Sequence, residues 1–205
     1  MARTGCAGVI LAGGQSRRMQ GVTKSLLELA GRPLLQHVID RVAPQVGRLF
    51  LSVEQPMPDL DSFHLPQLSD PRSGHQGPLC GLLAALREIA AGAEEWLLLA
   101  PCDAPLLPKN LASRLLKRAV EEDRPGAVVR FRGELQPTFS VWHVSQASQL
   151  ERAVLEQNMA GFKQYLEGDP LAVLDWPDQG DDPFFNINDP AALEESRRRL
   201  DPGNQ

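Results

Sequence analysis

Cysteine is sparse in this chain, long apolar runs are absent and positive charge is not in excess, and each shortage removes a class of protein. The three cysteines of the 205-residue chain, Cys6, Cys80 and Cys102, are odd in number and widely separated. They form no Cys-x-x-Cys pair and have no histidine at metal-ligand spacing, so neither a disulfide framework nor a zinc site is indicated. Cys6 and Cys80 read as buried thiols that serve as small hydrophobes, and Cys102 as a small residue packed under a strand end. No apolar run approaches the roughly 18 residues of a membrane span. The N-terminal stretch MARTGCAGVILAGG runs into glycine and charge rather than a cleavage site, so it reads as a strand in a cytoplasmic protein without membrane contact. With 21 Lys and Arg against 26 Asp and Glu, the net charge of −5 offers no basic field for nucleic acid.

What is present is an alternation of short apolar runs with helical patterns. Ala7 to Leu11 reads as a strand buried on both faces, and Pro33 opens a helix with Leu34, Leu35, Val38, Ile39 and Val42 at helical spacing. Arg48 to Val53 reads as the next strand, followed by a Pro-rich loop from Gln55 to Gln76. A helix begins at Gly77-Pro78, Trp96 to Ala100 is the most apolar strand, and a further helix opens at Pro108. Gly126–Phe131 and Thr138–Trp142 read as strands around a turn-prone Arg132–Gln136. Ser145–Gln157 and Phe162–Glu167 read as helices, Leu171–Trp176 as a strand, and Asp189–Leu200 as a terminal helix. The pattern predicts one α/β domain over residues 1–200, three-layered and Rossmann-like with a mainly parallel sheet, and a frayed tail at 201–205. In such sheets ligands bind at the carboxyl ends of the strands. The unusual polar clusters, after Leu11, around Asp70, at Asp103 and from Asn186 to Asp189, all fall just past apolar runs or in connecting loops.

The first of these clusters carries the most chemistry. In GVILAGGQSRRMQGVTKSLLELAGRP, starting at Gly8, a glycine pair follows the strand directly, and Arg17, Arg18 and Lys24 follow the glycines. Glycine lets the backbone approach a ligand closely and turn its N–H groups toward an anion. Three neighbouring cations repel one another unless something negative sits among them, and a nucleoside triphosphate supplies that. The spacing is neither that of a P-loop nor Gly-x-Gly-x-x-Gly. Asp103, following WLLLAPC between Pro101 and Pro105, reads either as a carboxylate presented at a strand end for a divalent cation or as a turn residue before the next helix. Asp70 reads as a turn residue or as a nucleotide contact. Asn186 and Asn188 alternate in an extended run and can face the same way, or they open the last helix.

LAGGQSRRMQGVTKSLLELAGRPLLQHV resembles the signature of the nucleotidyltransferases that build nucleotide-bearing cofactors, most closely the molybdenum cofactor guanylyltransferases. Asp70, Gly77-Pro78-Leu79, Pro101-Cys102-Asp103-Ala104-Pro105, Gln136-Pro137-Thr138 and Asn186-Ile187-Asn188 resemble the later motifs of that family in order, so the likeness spans nearly the whole chain. The chain departs from it in placing Gln20 before Gly21, Thr23 where an aspartate is common, and Ser52 where an asparagine often stands. The resemblance implies a nucleotidyltransferase fold and transfer of GMP from GTP to the phosphate of molybdopterin, with release of pyrophosphate. It implies Mg2+ on Asp103, catalytic roles for Arg18, Lys24 and Asp103, and nucleotide contacts from Leu11, Ala12, Gly13, Gly14, Lys24, Ser52, Asp70, Gly77 and Asp103. It implies further that Asn186 and Asn188 face the pterin acceptor, that Gly14 favours guanine over cytosine, and that molybdoenzymes or other cofactor-biosynthesis proteins are met transiently. Two alternatives stay open: transfer to another phosphorylated acceptor by a guanylyl- or cytidylyltransferase, and a non-catalytic module that binds and delivers nucleotide or cofactor.

Overall fold

The computed structural model describes residues 5–13, 23–71, 77–168 and 171–200. Strand β1 (Cys6–Leu11) lies inside a seven-stranded sheet, and its alternation explains why: Cys6 and Ile10 point into one apolar cluster, Ala7 and Val9 into another. A tiny antiparallel hairpin, β2 (Glu28–Leu29) and β3 (Arg32–Pro33), then leads into helix α1 (Leu34–Val42). Strand β4 (Leu49–Val53) is followed by a 3-10 turn, Pro58–Phe63, and the short edge strand β5 (Gln67–Ser69). The stretch expected to be one long loop therefore holds two small elements, and Gln67 ties them together by bonding the Met57 backbone through both amide atoms.

Helix α2 (Pro78–Ala90) returns the chain to β6 (Trp96–Pro101), and α3 (Leu111–Glu121) leads on to β7 (Gly126–Phe131). Strand β8 (Glu134–His143) starts four residues earlier than the Thr138 that composition suggested. The turn joining it to β7 has positive φ at Arg132 and Gly133 (50° and 84°), the geometry that joins two twisted strands through a two-residue loop. Helices α4 (Ala147–Leu155) and α5 (Phe162–Gly168), strand β9 (Ala172–Asp175) and helix α6 (Pro190–Leu200) complete the chain.

The sheet order is β5-β4-β1-β6-β8-β7-β9, with β8 alone running against the others, so the expected three-layer, mainly parallel α/β architecture is what forms. On one face Leu35, Val38 and Val42 of α1 and Leu111, Leu115 and Ala119 of α3 pack with Ile10, Leu51 and Leu98. On the other, Leu79, Leu82, Leu83 and Leu86 of α2 and Leu150 and Val154 of α4 pack with Val9, Leu97 and Leu99. No helix among the described residues is long and apolar enough to cross a membrane.

Two features of this topology position a site. The chain runs from β1 out to β4 and β5 on one side, then comes back through α2 to β6 on the other, so the switch point lies beyond the carboxyl ends of β1 and β6. In addition, β8 pairs with β6 only as far as Leu99 with Ser140, and its register against β7 jumps from Ser140 to Gln136, which pushes Pro137–Phe139 out as a bulge. The far end of β6, Ala100 and Pro101, is thereby left without a partner strand on the β8 side. The Gln136-Pro137-Thr138 motif runs into this bulge.

Candidate active site

Asp103 sits in the turn that ends β6, immediately past the switch point. Its neighbour Cys102 is buried and donates its backbone N–H to the Leu11 carbonyl at 3.2 Å, which ties the ends of β6 and β1 together. Ala12 donates likewise to the Ser52 carbonyl at 2.8 Å, tying β1 to β4. Three strand ends are thus held in register beneath the site by backbone bonds alone. Gly13 follows, and a Cβ there would stand 2.8 Å from the Glu54 nitrogen. Glycine is needed at 13 because the chain leaving β4 passes directly over it.

Above this floor the side chains converge. The Lys24 ammonium, at the start of a 3-10 turn (Lys24–Leu26), forms an ion pair with Asp103 Oδ2 and donates to Asn188 Oδ1 at 2.6 Å. Lys24 and Asp103 are mostly buried, with side chains 14% and 13% exposed, where water screens the pair poorly. The segment carrying Asn188 is anchored by its own backbone, since Ile187 donates its N–H to the Asp103 carbonyl at 2.9 Å. The Ile187 side chain is fully buried with Leu29 and Leu34. Two oxygens at the site are buried without a partner: Asp103 Oδ1 and Asn186 Oδ1. Buried acceptors left unpaired are costly and mark a place where a donor or cation is missing.

These residues fit a divalent cation. A carboxylate oxygen with no partner, a second carboxylate oxygen now held by an ammonium, and an unpaired amide oxygen on the adjoining segment are hard oxygen donors of the kind Mg2+ takes alongside phosphates and water. Among the described residues no group of three or more His, Cys, Asp or Glu could hold a metal.

The remaining expected residues distribute as follows. Leu11, Ala12 and Gly13 line the end of β1 as described. Ser52 is nearly buried and its Oγ is turned toward α2, where a Cβ on Gly81 would come within 2.2 Å of it. Asp70 follows β5, its N–H bonded to the Val53 carbonyl at 3.0 Å. Gly77 caps α2 at φ 78°, and a Cβ there would strike the Ala160 carbonyl oxygen at 2.5 Å. Gly14 and Arg18 lie outside the described residues. Cys102 is no nucleophile: burial pushes its thiol up to about 12, with the neighbouring Asp103 charge acting in the same direction. His37 bonds the Leu29 carbonyl at 2.8 Å and serves the hairpin rather than the site.

An ammonium–carboxylate pair at the switch point of a mostly parallel sheet, beside a glycine at a strand end and, among the described residues of the site, without a nucleophile–base pair, fits the nucleotidyltransferase class, in which the reacting groups are phosphates and the protein supplies position and charge. Comparison with known proteins agrees and narrows the class. The profile of the MobA-like NTP transferase domain matches residues 8–171. A molybdenum cofactor guanylyltransferase of Rhodopseudomonas palustris strain BisB5 is 40% identical over 93% of this chain and 91% of its own length. That of Mesorhizobium japonicum is 35% identical over 97% of both chains. Among solved structures, the molybdopterin-guanine dinucleotide biosynthesis protein A of Archaeoglobus fulgidus superposes with a TM-score of 0.77 at 24% identity, covering 96% of this chain and 99% of that one. The fold is shared more widely: a CMP:2-keto-3-deoxy-manno-octonic acid synthetase complexed with CTP superposes at 0.66 with 16% identity, over 96% and 98% of the two chains. The chain belongs to the MobA-like NTP transferase family.

Proposed function

We propose that this nucleotidyltransferase transfers GMP from GTP to the terminal phosphate of molybdopterin, forming the guanine dinucleotide cofactor and releasing pyrophosphate. The observation that carries the reading is the Lys24–Asp103 pair at the β1–β6 switch point, with Asp103 Oδ1 buried and unpaired beside it. In this reading the backbone from Leu11 to Gly14 cradles the triphosphate, and Ser52, Asp70 and Gly77 border the nucleoside. The cationic charge of Arg18 and Lys24 serves the phosphates. Lysine has three donors and no acceptor. Asp103 and Asn188 occupy two of them. The third is available to a phosphate oxygen, and there it stabilises charge that grows on the pyrophosphate as the bond to the α-phosphate breaks.

Asp103, with Asn186 adjacent, would hold Mg2+, which when bound neutralises phosphate charge and aligns the attacking oxygen with the leaving group. The acceptor enters on the side of Asn186. GTP, molybdopterin and a molybdoenzyme recipient complete the proposed set of partners, in a cytoplasmic setting.

The test is the fate of label. With GTP labelled at the α-phosphate, incubation with molybdopterin and Mg2+ places label in the acceptor, whereas label at the γ-phosphate leaves as pyrophosphate. GTP bound tightly with no label transferred under these conditions would instead support a carrier of nucleotide or cofactor.

A further inference from the structure

Asn188 was expected on the acceptor side of the site, yet its amide oxygen is engaged by Lys24 at 2.6 Å. The backbone around it is held from three directions. Ile187 is buried with Leu29 and Leu34 and bonds the Asp103 carbonyl. Downstream, the Asp189 carboxylate accepts the Ala192 N–H at 2.8 Å and caps α6. Upstream, Arg199 of α6 lies over the Phe185 ring, its guanidinium carbon 4.7 Å from the centroid, and donates to the Asp182 carbonyl at 3.4 Å. An amide on so firm a mount can fix where a flexible four-carbon lysine stem ends.

The geometry points to Asn188 as a positioning residue for Lys24, so that it acts on the nucleotide half of the reaction although it stands on the segment assigned to the acceptor. Its chemistry suits the task. A neutral amide oxygen bonds the ammonium without cancelling its charge, so the Lys24–Asp103–Asn188 group keeps one cation against one anion. A carboxylate at 188 would put two anions against that cation and oppose the triphosphate. Without any acceptor at 188 the ammonium is held by Asp103 alone and its third donor loses its direction.

The inference rests on GTP being the nucleotide, and the test separates the two. Affinity for a non-hydrolysable GTP analogue is measured with Mg2+ and with no acceptor present, for the wild type, Asn188→Ala, Asn188→Asp, Lys24→Met and the double variant Lys24→Met/Asn188→Ala. Asn188 is exposed, so each single change at 188 is expected to unfold at the wild-type temperature. Asn188→Ala should raise Kd roughly fivefold, the scale of an ordinary net hydrogen bond, since the lost contact acts through Lys24 rather than on the nucleotide. Asn188→Asp should raise it further. In the Lys24→Met background Asn188→Ala should add nothing, because residues that act through one another are not additive. An unchanged Kd for Asn188→Ala, or the same fold-increase in both backgrounds, overturns the positioning role. Failure of the wild type itself to bind the analogue overturns the GTP reading instead.

Discussion

At the scale of single residues, Asp103 and its neighbour Cys102 have opposite roles. Asp103→Asn keeps the size of the side chain and an oxygen toward Lys24 but removes the charge. Turnover should fall by about a thousandfold or more, the order seen when one preorganised electrostatic element is lost. The far-UV circular dichroism spectrum and cooperative unfolding should persist, and activity near wild type would remove Asp103 from the chemistry. Cys102 gives the opposite expectation. Its thiol stays protonated at neutral pH because it is buried beside a carboxylate. Cys102→Ala should therefore retain turnover within about twofold, and iodoacetamide at neutral pH should leave the native enzyme active. The residues of the candidate site stood out in the sequence because glycine after a strand, a lysine near it and an aspartate past the most apolar strand each have a chemical reason to be there. Their pairings were not. Lys24 and Asp103 are 79 positions apart and Lys24 and Asn188 are 164 apart, and no local pattern encodes which of the polar loops meet.

At the scale of elements, two glycines with positive φ separate strain from collision. Gly77 (φ 78°) would put a Cβ against the Ala160 carbonyl oxygen at 2.5 Å, whereas Gly31 (φ 73°), in the β2–β3 hairpin, has nothing within 4 Å. Gly31→Ala should cost about 1 kcal/mol, the price of the left-handed backbone alone. Gly77→Ala must in addition displace the 159–161 loop or the start of α2, and should cost roughly 2–4 kcal/mol in urea unfolding. Equal losses for the two would deny the close approach. The same comparison explains which elements composition could foretell. β1, β4 and β6 are buried on both faces and read as near-continuous apolar runs. β5 lies at the sheet edge with Gln67 and Ser69 in its three residues, and β8 begins with Glu134, exposed Leu135 and Gln136, so neither start carries an apolar signature. The β2–β3 hairpin turns through Ala30 and Gly31, both at positive φ, where alanine gives no turn signal.

At the scale of the whole molecule, stability links to pH through buried thiols, Cys6 and Cys102. Burial pushes the Cys6 thiol from its ordinary value near 9 up to about 12. In the unfolded chain that thiol ionises first, so between pH 9 and 12 the unfolded state binds fewer protons than the native one. The stability of the fold must then fall as pH rises through that window. Cys6→Ala should lessen the decline when urea midpoints are compared across it, leaving the share carried by the Cys102 thiol, and an equally steep decline would mean that Cys6 carries none of it. Below pH 9 the thiol is protonated in both states and contributes no slope.

The molecule as a whole is a sheet whose switch point gathers Gly13 from just past β1, Asp103 from just past β6, Lys24 from the 3-10 turn that precedes β2 and Asn188 from the C-terminal segment. The measurement that tests this most directly is pyrophosphate release by the purified protein given molybdopterin and Mg2+, with GTP and CTP in parallel and Asp103→Asn as the control. Release is expected with GTP, little with CTP and none above background in the variant. Equal release with both nucleotides would contradict the guanylyl assignment, and release undiminished in Asp103→Asn would contradict the site itself.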